Sequence, residues 1–508
     1  MTIIDDLLRH ARDRPHAPAG LDPSRSLSWE DLRDEVTAVA AGMRARGVRP
    51  SDRVGLHLGN SLDFLVAALA ANWCGGTFVA LDPAGPPART ASLVGDFEPT
   101  LLVTSDRADR EAAGLSPACV TTVRELAGAG QARVPRADPD APAYIVYTSG
   151  TSGAPKGVTI GHPALGSALA ATAEAVELDT ATRAVCVSPF HFDGSYATLF
   201  ATVHAGGLVT IPERERLLFP RNFARWVEDH AVDVAGFTPT YLRLLMAGRA
   251  LPRISAGPLR LVAIGGEALP ASDVLELLAA APHLRVFNRY GPTETTIAVA
   301  HHRLLAEQIH PGEPVPVGRP HPGSSFHVLD EHLQPVPVGL PGELWIGGAQ
   351  LMDGYWQAPE LTASVLRSDI GGGGRGGETL YRSGDLVRAG ADGVVTWLDR
   401  LDRVVKRRGV RISLAEVSAA LRAVGPAGAG IALARESLPD KEIVGFVVAD
   451  RSSLPGLRAA LAERLPLGML PDRLVAVDSL PLGSGGKLDE HQLTRLLDNF
   501  HSNTSGPR

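Results

Sequence analysis

AYIVYTSGTSGAPKGVTIGH, residues 143–162, leads an apolar strand into a loop of small and hydroxylated residues and out again through Lys156 and Gly157. Gly150, Gly153 and Gly157 would let the backbone approach an anion. Thr148, Ser149, Thr151 and Ser152 offer hydroxyl donors, and Lys156 supplies positive charge. Such a loop can cradle phosphate. It is not a Walker loop, because no Gly-Lys-Ser/Thr follows a four-residue spacer from its first glycine.

Outward from this segment, residues 3 to 211 alternate amphipathic helical stretches (DDLLRHARDR, WEDLRDEVTAVAAGMRARG, SLDFLVAALAANWCGG) with β-rich runs (RVGLHL, TFVALD, TLLVTS, AVCVSPF). The alternation predicts an α/β fold, a parallel or mixed sheet wrapped by helices. It resumes with FARWVEDHA, VDVAGF, LRLVAIGG, ASDVLELLAAA and LRVFNRYG, so a second α/β layer is expected. From about Val315 to Val395, short runs such as SFHVLD, GELWIGG and GVVTWL between Pro and Gly turns predict a small β-rich subdomain. GGGGRGG, residues 371–377, is expected to be an exposed loop. Beyond Arg400 a basic stretch, two helical patterns and a strand pattern predict a small α+β C-terminal domain. The expected organisation is a core over 1–400, a hinge at 401–402 and a mobile lid domain over 403–508.

The 508 residues exceed what one hydrophobic core usually serves, and 44% hydrophobic with 21% charged residues is ordinary globular composition. A net charge of -7 gives no basic footprint for nucleic acid. Cys74, Cys119 and Cys186 stand isolated, with neither zinc nor disulfide spacing. No signal peptide and no apolar run long enough to cross a bilayer are visible, so no membrane partner and a cytoplasmic location are expected.

The phosphate-type loop resembles the YTSGTTGxPKG of the adenylate-forming (ANL) superfamily, which includes acyl-CoA synthetases, luciferases and nonribosomal peptide synthetase adenylation domains. Ser152 replaces the second threonine and keeps the hydroxyl. Four further motifs follow in family order. NRYGPTETT, residues 288–296, is similar to N-x-YGPTE; the resemblance implies that Asn288 and Tyr290 contact adenine, Thr293 the α-phosphate and Glu294 Mg2+. Gly265, Gly266 and Glu267 stand where the family has an adenine-binding turn, and Arg289 lies within the adenine segment. YRSGDL resembles Y-[RK]-TGD, which gives Asp385 the ribose hydroxyls, with Ser383 as a departure. RLDRVVKRRGVRI is similar to GRxDxxVKIRGxRI, which implies that Arg400 contacts ribose and Asp402 is a hinge; Asp399 and Arg407 depart from the pattern. LGSGGKLD resembles the C-terminal NGKxD motif, with Gly485 in place of asparagine, and makes Lys487 the lysine that reaches the substrate carboxylate and α-phosphate.

Taken singly these segments have plainer readings: a Gly/Ser surface loop, Thr293 as an N-cap, a Ser-Gly-Asp turn, a basic solvated turn and a surface lysine. Their order along one chain favours the site.

The resemblance implies ATP and Mg2+ as cofactors and two half-reactions: formation of an acyl-AMP, then transfer to a pantetheine thiol after the small domain rotates. SPFHFDGSYATLF, residues 188–200, is similar to the amino-acid-activating branch, where the aspartate, here Asp193, binds the substrate ammonium. A desolvated ammonium needs a paired carboxylate; the plainer alternative is that Asp193 caps the helix starting near Ser195. Motif alignment carries over Gly194, Ala197, Gly236, Val262, Ile264, Arg289, Ile297 and Ala298 as the rest of the amino-acid pocket. Arg289 could pair with a substrate carboxylate, favouring an acidic or β-amino diacid, or pair with Glu267 and fill the pocket, leaving room for a small neutral amino acid such as alanine. The latter is preferred here. No phosphopantetheine serine motif follows Lys487, so a free-standing enzyme is expected, with a separate acyl or peptidyl carrier protein as partner in natural-product biosynthesis. Alternatives are an acyl- or aryl-CoA ligase and a D-alanine carrier-protein ligase.

Overall fold

The computed structural model describes residues 2–85, 87–105, 119–128, 141–149, 155–368, 378–401, 404–407, 410–436, 441–465, 470–482 and 488–502. Gly150, Thr151, Ser152, Gly153, the glycine run 371–377, Asp402 and Lys487 lie outside the described residues. The chain divides into two compact units. One comprises Met1–Leu340, Trp345–Ser383 and Ala389–Thr396; the other comprises Pro341–Leu344, Gly384–Arg388 and Trp397–Arg508.

The first unit contains two large sheets. One runs, in spatial order, Gly354–Tyr355, Pro155–Gly161, Pro142–Ser149, Thr77–Ala80, Arg53–His57, Leu101–Thr104 and Val120–Thr121. The other runs Ala300–Leu304, Arg285–Tyr290, Leu261–Gly265, Val234–Phe237, Arg183–Cys186, Leu208–Thr210, Pro18–Leu21 and Ser26–Ser28. Their central strands pair in parallel; antiparallel strands close both edges of the second sheet and one edge of the first, whose other edge strand, Val120–Thr121, is parallel. The two α/β layers expected from the pattern are therefore present, but membership differs. Arg183–Cys186 and the N-terminal strand Pro18–Leu21 pair within the second sheet, because periodicity fixes an element's type and leaves its partner to long-range packing.

The helix Leu62–Trp73 is apolar around nearly its whole circumference, with Asp63 at its first turn paired to Arg25, and Ser61 caps it by accepting the Phe64 amide. Such a helix has little solvent face. Phe64, Leu65 and Leu69 are fully buried, in one cluster with Val54, Phe78 and Tyr144 of the first sheet and Ala19 and Val209 of the second. Each large side chain buried there contributes about 1.5–3 kcal/mol relative to exposure. A second cluster, with Phe237, Val262, Ile264, Val286, Leu242 and Val274, covers the outer face of the second sheet.

The β-rich stretch is present as one sheet with the strands Pro316–Gly318, Ser324–Leu329, Pro341–Gly348, Leu380–Ala389 and Val395–Arg400. In the second unit, the helix Leu414–Val424 packs Val417 and Leu421 against Ala432 and Ile443 of a sheet formed by Gly430–Glu436, Lys441–Val448 and Arg473–Val477. Ser418 ties that helix to the sheet: its hydroxyl donates to the Leu414 carbonyl and accepts the Ala432 amide. Among the described residues no helix is long and apolar enough to cross a membrane.

Gly265 pairs with Arg289 across neighbouring parallel strands, and a Cβ at Gly265 would collide with the Arg289 carbonyl and stand 3.0 Å from its Cβ. Strand spacing cannot relax around backbone atoms as it can around a flexible side chain. Gly265→Ala is expected to destabilise the first unit by about 1–3 kcal/mol, read as a lowered thermal midpoint; a midpoint within a degree of the parent would refute the crowding argument.

Candidate active site

The phosphate-type segment forms an antiparallel hairpin in which Thr148 pairs with Lys156 and Tyr147 with Gly157. The Thr148 hydroxyl is buried and has no hydrogen-bond partner among the described residues, so a donor stands beside the lysine. Gly157 also has a packing reason. A Cβ there would lie 3.0–3.2 Å from Ile145, Trp356 and Tyr147, so packing within the sheet uses its missing side chain.

Lys156 Nζ donates to Glu294 Oε1 at 2.9 Å and to the Tyr355 hydroxyl at 2.7 Å, and that hydroxyl also donates to Glu294 Oε1 at 2.7 Å. Glu294 is 6% exposed. Burial pushes its pKa up, but the Lys156 charge and the two hydrogen bonds outweigh burial and hold it below the usual carboxylate value. The carboxylate stays ionised at neutral pH. Its backbone is fixed as well, since the Glu294 carbonyl accepts the Met352 amide.

Thr293, Glu294 and Thr295 form one 3-10 turn after the strand Arg285–Tyr290, and no side chain caps it, so Thr293 is not an N-cap. The next two residues, Thr296 and Ile297, have φ of 56° and 69°. Positive φ is costly for β-branched residues. Gln350 holds this turn: its Nε2 donates to the Ala298 carbonyl at 2.7 Å, and its own carbonyl accepts the Thr296 hydroxyl at 2.7 Å. Asn288 is buried and donates to the Pro316 carbonyl, while Tyr290 meets Phe326 edge to face at 6.3 Å.

Arg289 lies on the other face of that strand and points into a cavity lined by Ala197, Thr198, Gly236, Ala263 and His301. Its guanidinium lies between two glycines: a Cβ on Gly194 would be 3.7 Å from Nη2, and one on Gly236 would be 3.4 Å from Nη1. About 10 Å³ remains free, room for one water-sized group. The residue is 7% exposed, and among the described residues its guanidinium has no hydrogen bond and no ion pair within 4 Å. Burial lowers its pKa to about 10, against the opposing charge of Asp193. Asp193 also faces Tyr144 and Tyr196, whose ionisation its charge opposes. It stands in the 3-10 turn Asp193–Ser195 ahead of the helix Tyr196–Ala205, and neither element has a side-chain cap bond.

Two expectations for the pocket are corrected. Val262 and Ile264 pack into the outer cluster with Leu242 and Val274, because strand side chains alternate and Ala263 is the residue that shares the Arg289 face. Glu267 does not pair with Arg289; it accepts the Thr240 amide and hydroxyl at 3.2 and 2.7 Å. Ile297 and Ala298 are buried in the first core. Gly266, at φ of 85°, makes the turn after its strand.

In the second unit, Asp385 is buried and accepts from Trp397 Nε1 at 3.0 Å and from Arg400 Nη1 at 3.3 Å. Gly384, at φ of 69°, leaves space for the Arg400 guanidinium, and Asp399 accepts the Arg400 amide. Sequence reasoning missed Tyr355, Gln350, His301 and His321. Only Tyr355, after an Asp-Gly turn, had any local signal.

The arrangement is a lysine and a carboxylate beside a phosphate-type hairpin, with a polar cavity on the adjoining strand. The chain belongs to the AMP-binding enzyme family, whose model matches residues 7–356. It is 33% identical over 486 residues to tyrocidine synthase 3 of Brevibacillus parabrevis, covering 94% of this chain and 7% of that protein. It is 34% identical over 494 residues to phosphinothricin tripeptide synthetase PhsC of Streptomyces viridochromogenes, covering 95% and 44%. Among solved structures it is similar to holo-AB3403, a four-domain nonribosomal peptide synthetase bound to AMP and glycine, with a TM-score of 0.83, 29% identity and coverage of 97% and 36%. The chain thus spans less than half the length of each.

Lys156→Met would leave Glu294 buried without its counter-charge. A loss of about 1–3 kcal/mol is expected, with the Glu294 pKa moving up. Stability that the pair contributes is present above the ordinary carboxylate pKa and lost as pH falls through the lower folded value. The variant's thermal midpoint should therefore fall below the parent's at pH 7 and converge on it in acid; equal midpoints at pH 7 would show that the pair contributes nothing.

Proposed function

We propose that the chain activates an amino acid as its aminoacyl-AMP and passes the acyl group to the phosphopantetheine thiol of a carrier protein in natural-product biosynthesis. In the first step a substrate carboxylate oxygen bonds to the α-phosphorus of ATP, the bond from that phosphorus to the β-phosphate oxygen breaks, and pyrophosphate leaves. Two anions must approach, so catalysis is positioning and charge neutralisation, with no protein nucleophile. Lys156, Thr148 and Thr293 are the candidates for phosphate contact, Asn288 and Tyr290 for adenine, and Asp385 and Arg400 for ribose. Lys487 carries the role of the family's C-terminal lysine.

Glu294 would hold Mg2+. Among the described residues no cluster of three or more His, Cys, Asp or Glu could bind an ion alone, and a single carboxylate suits an ion that takes most ligands from phosphates and water. The ion, when bound, offsets charge on the phosphates.

The observation that carries the substrate reading is the buried Arg289 facing Asp193. If Asp193 takes the substrate ammonium, Arg289 loses its opposing charge and needs another anion, which a second substrate carboxylate supplies. An acidic or β-amino diacid is therefore favoured over the small neutral side chain, whose case relied on a Glu267 partner that Arg289 lacks. The small free volume supports the second reading, a neutral amino acid of alanine size with Arg289 filling the pocket. The structure bound to AMP and glycine is in keeping with it.

Exchange of labelled pyrophosphate into ATP, screened over amino, fatty and aryl acids, tests the class: exchange is expected with amino acids, and exchange with non-amino acids alone would make the chain an acyl- or aryl-CoA ligase. Arg289→Ala should lower kcat/KM for the best acidic amino acid by about 30-fold or more, the scale of truncating one partner of a buried charge pair. Unchanged or improved use of alanine-sized substrates, with no acid used by the parent, would establish the filling role instead.

A further inference from the structure

Gln350 begins a chain of hydrogen bonds that ends in the amino-acid cavity. Its Nε2 lies among three carbonyls, Ala298 at 2.7 Å and Thr295 and Thr296 at 3.4 Å, which fixes the amide so that Oε1 is the acceptor. His321 Nδ1 lies 3.1 Å from that Oε1 and must carry a proton. In neutral His321 the other nitrogen, Nε2, is then an acceptor, and it lies 2.9 Å from His301 Nδ1, which must donate. His301 Nε2 is left as a bare lone pair. It is buried, has no hydrogen-bond partner among the described residues, and belongs to a residue lining the cavity that Arg289 enters.

Both rings are held neutral. Burial lowers the pKa of His301 well below its usual value, helped by the charge of Arg289, and burial lowers that of His321 against its bond to Gln350. The rings stack at 5.1 Å between centroids with 8° between planes, so neither can turn without displacing the other. Arg289 and His301 are direct partners across antiparallel strands, on the same face of the sheet. A guanidinium has five donors and no acceptor; a fork that meets a carboxylate with two of them has others to satisfy.

We propose that His301 is a specificity-determining residue of the amino-acid pocket: its Nε2 lone pair, aimed by His321 and Gln350 and unpartnered among the described residues, accepts one N–H of Arg289 once a diacid is bound and so sets the guanidinium fork that meets the substrate's second carboxylate. The proposal rests on the acidic-substrate reading. A carboxylate in the same cavity meets donors on Arg289 and is turned away by the lone pair on His301, so the two residues together admit the anion in one orientation only. Gln350, which also braces the Thr296–Ala298 turn, is a positioning residue for this pocket.

The test is pyrophosphate exchange by His301→Leu and His301→Asn with the parent's best acidic amino acid and with alanine. His301→Leu is expected to raise KM for the acidic substrate at least tenfold while KM for ATP stays within twofold, and His301→Asn, which can present an amide oxygen, is expected to recover part of the loss. An acidic-to-alanine selectivity unchanged in His301→Leu would overturn the proposal while leaving the acidic reading intact. A parent enzyme that exchanges with alanine and with no acid would overturn both. If His301→Leu does not fold, His301→Asn decides alone: selectivity for the acid should fall between threefold and tenfold, and no change counts against the proposal.

Discussion

The site depends on the alternation of side chains along one strand, Arg285–Tyr290. Asn288 turns to the face where it meets the Pro316 carbonyl, Arg289 to the opposite face and its cavity, and Tyr290 leads into the Gly291–Pro292 corner and the Glu294 turn. With a period of two, a slip of one residue would exchange the two faces. The register is held on both sides: five residue pairs to Leu261–Gly265 in parallel, and five to Ala300–Leu304 antiparallel. Gly265 allows the closest of these approaches, because only a residue without Cβ fits against the Arg289 carbonyl.

Electrostatics divides the same region into two compartments of opposite character. Around Glu294 the lysine and tyrosine satisfy the buried carboxylate, so the charge costs little to keep ionised. Around Arg289 no described hydrogen bond satisfies the buried guanidinium. A pocket can be filled by Leu or Met without desolvating a charge. An arginine between Gly194 and Gly236 therefore carries a desolvation cost that filling the space would not require, and the neutral His301 beside it adds an acceptor without adding charge.

Much of this was legible in the sequence. The helix and strand alternation gave the α/β class, and the order of motifs pointed to a site whose residues Lys156 and Glu294, 138 positions apart, do meet. Strand parity was harder. Motif alignment brought Val262 and Ile264 into the pocket, whereas the pleat turns them outward and Ala263 inward. Glu267 was given a partner by proximity in sequence to a motif, but Thr240 competes for it from the neighbouring loop. Gly157 reads as a phosphate-loop glycine, and packing against Ile145, Tyr147 and Trp356 constrains it as well, which no motif shows. Gln350, His321 and His301 have no sequence signature at all, since what joins them is a tautomer chain across three separate segments.

The turn from Thr295 to Ala298 shows what such a chain offsets. Two successive β-branched residues at positive φ cost of order 1–3 kcal/mol each, and local preference would relax them. They are held because each has a reason to stay: the Thr296 hydroxyl reaches the Gln350 carbonyl, and Ile297 is buried in the first core. The Gln350 side chain closes the arrangement by collecting the turn's carbonyls. Releasing that turn would free the 3-10 segment just before it, and with it the backbone that presents Glu294. The same glutamine thus constrains the carboxylate on one side and the histidine pair on the other, so the Glu294 turn and the Arg289 cavity share one support.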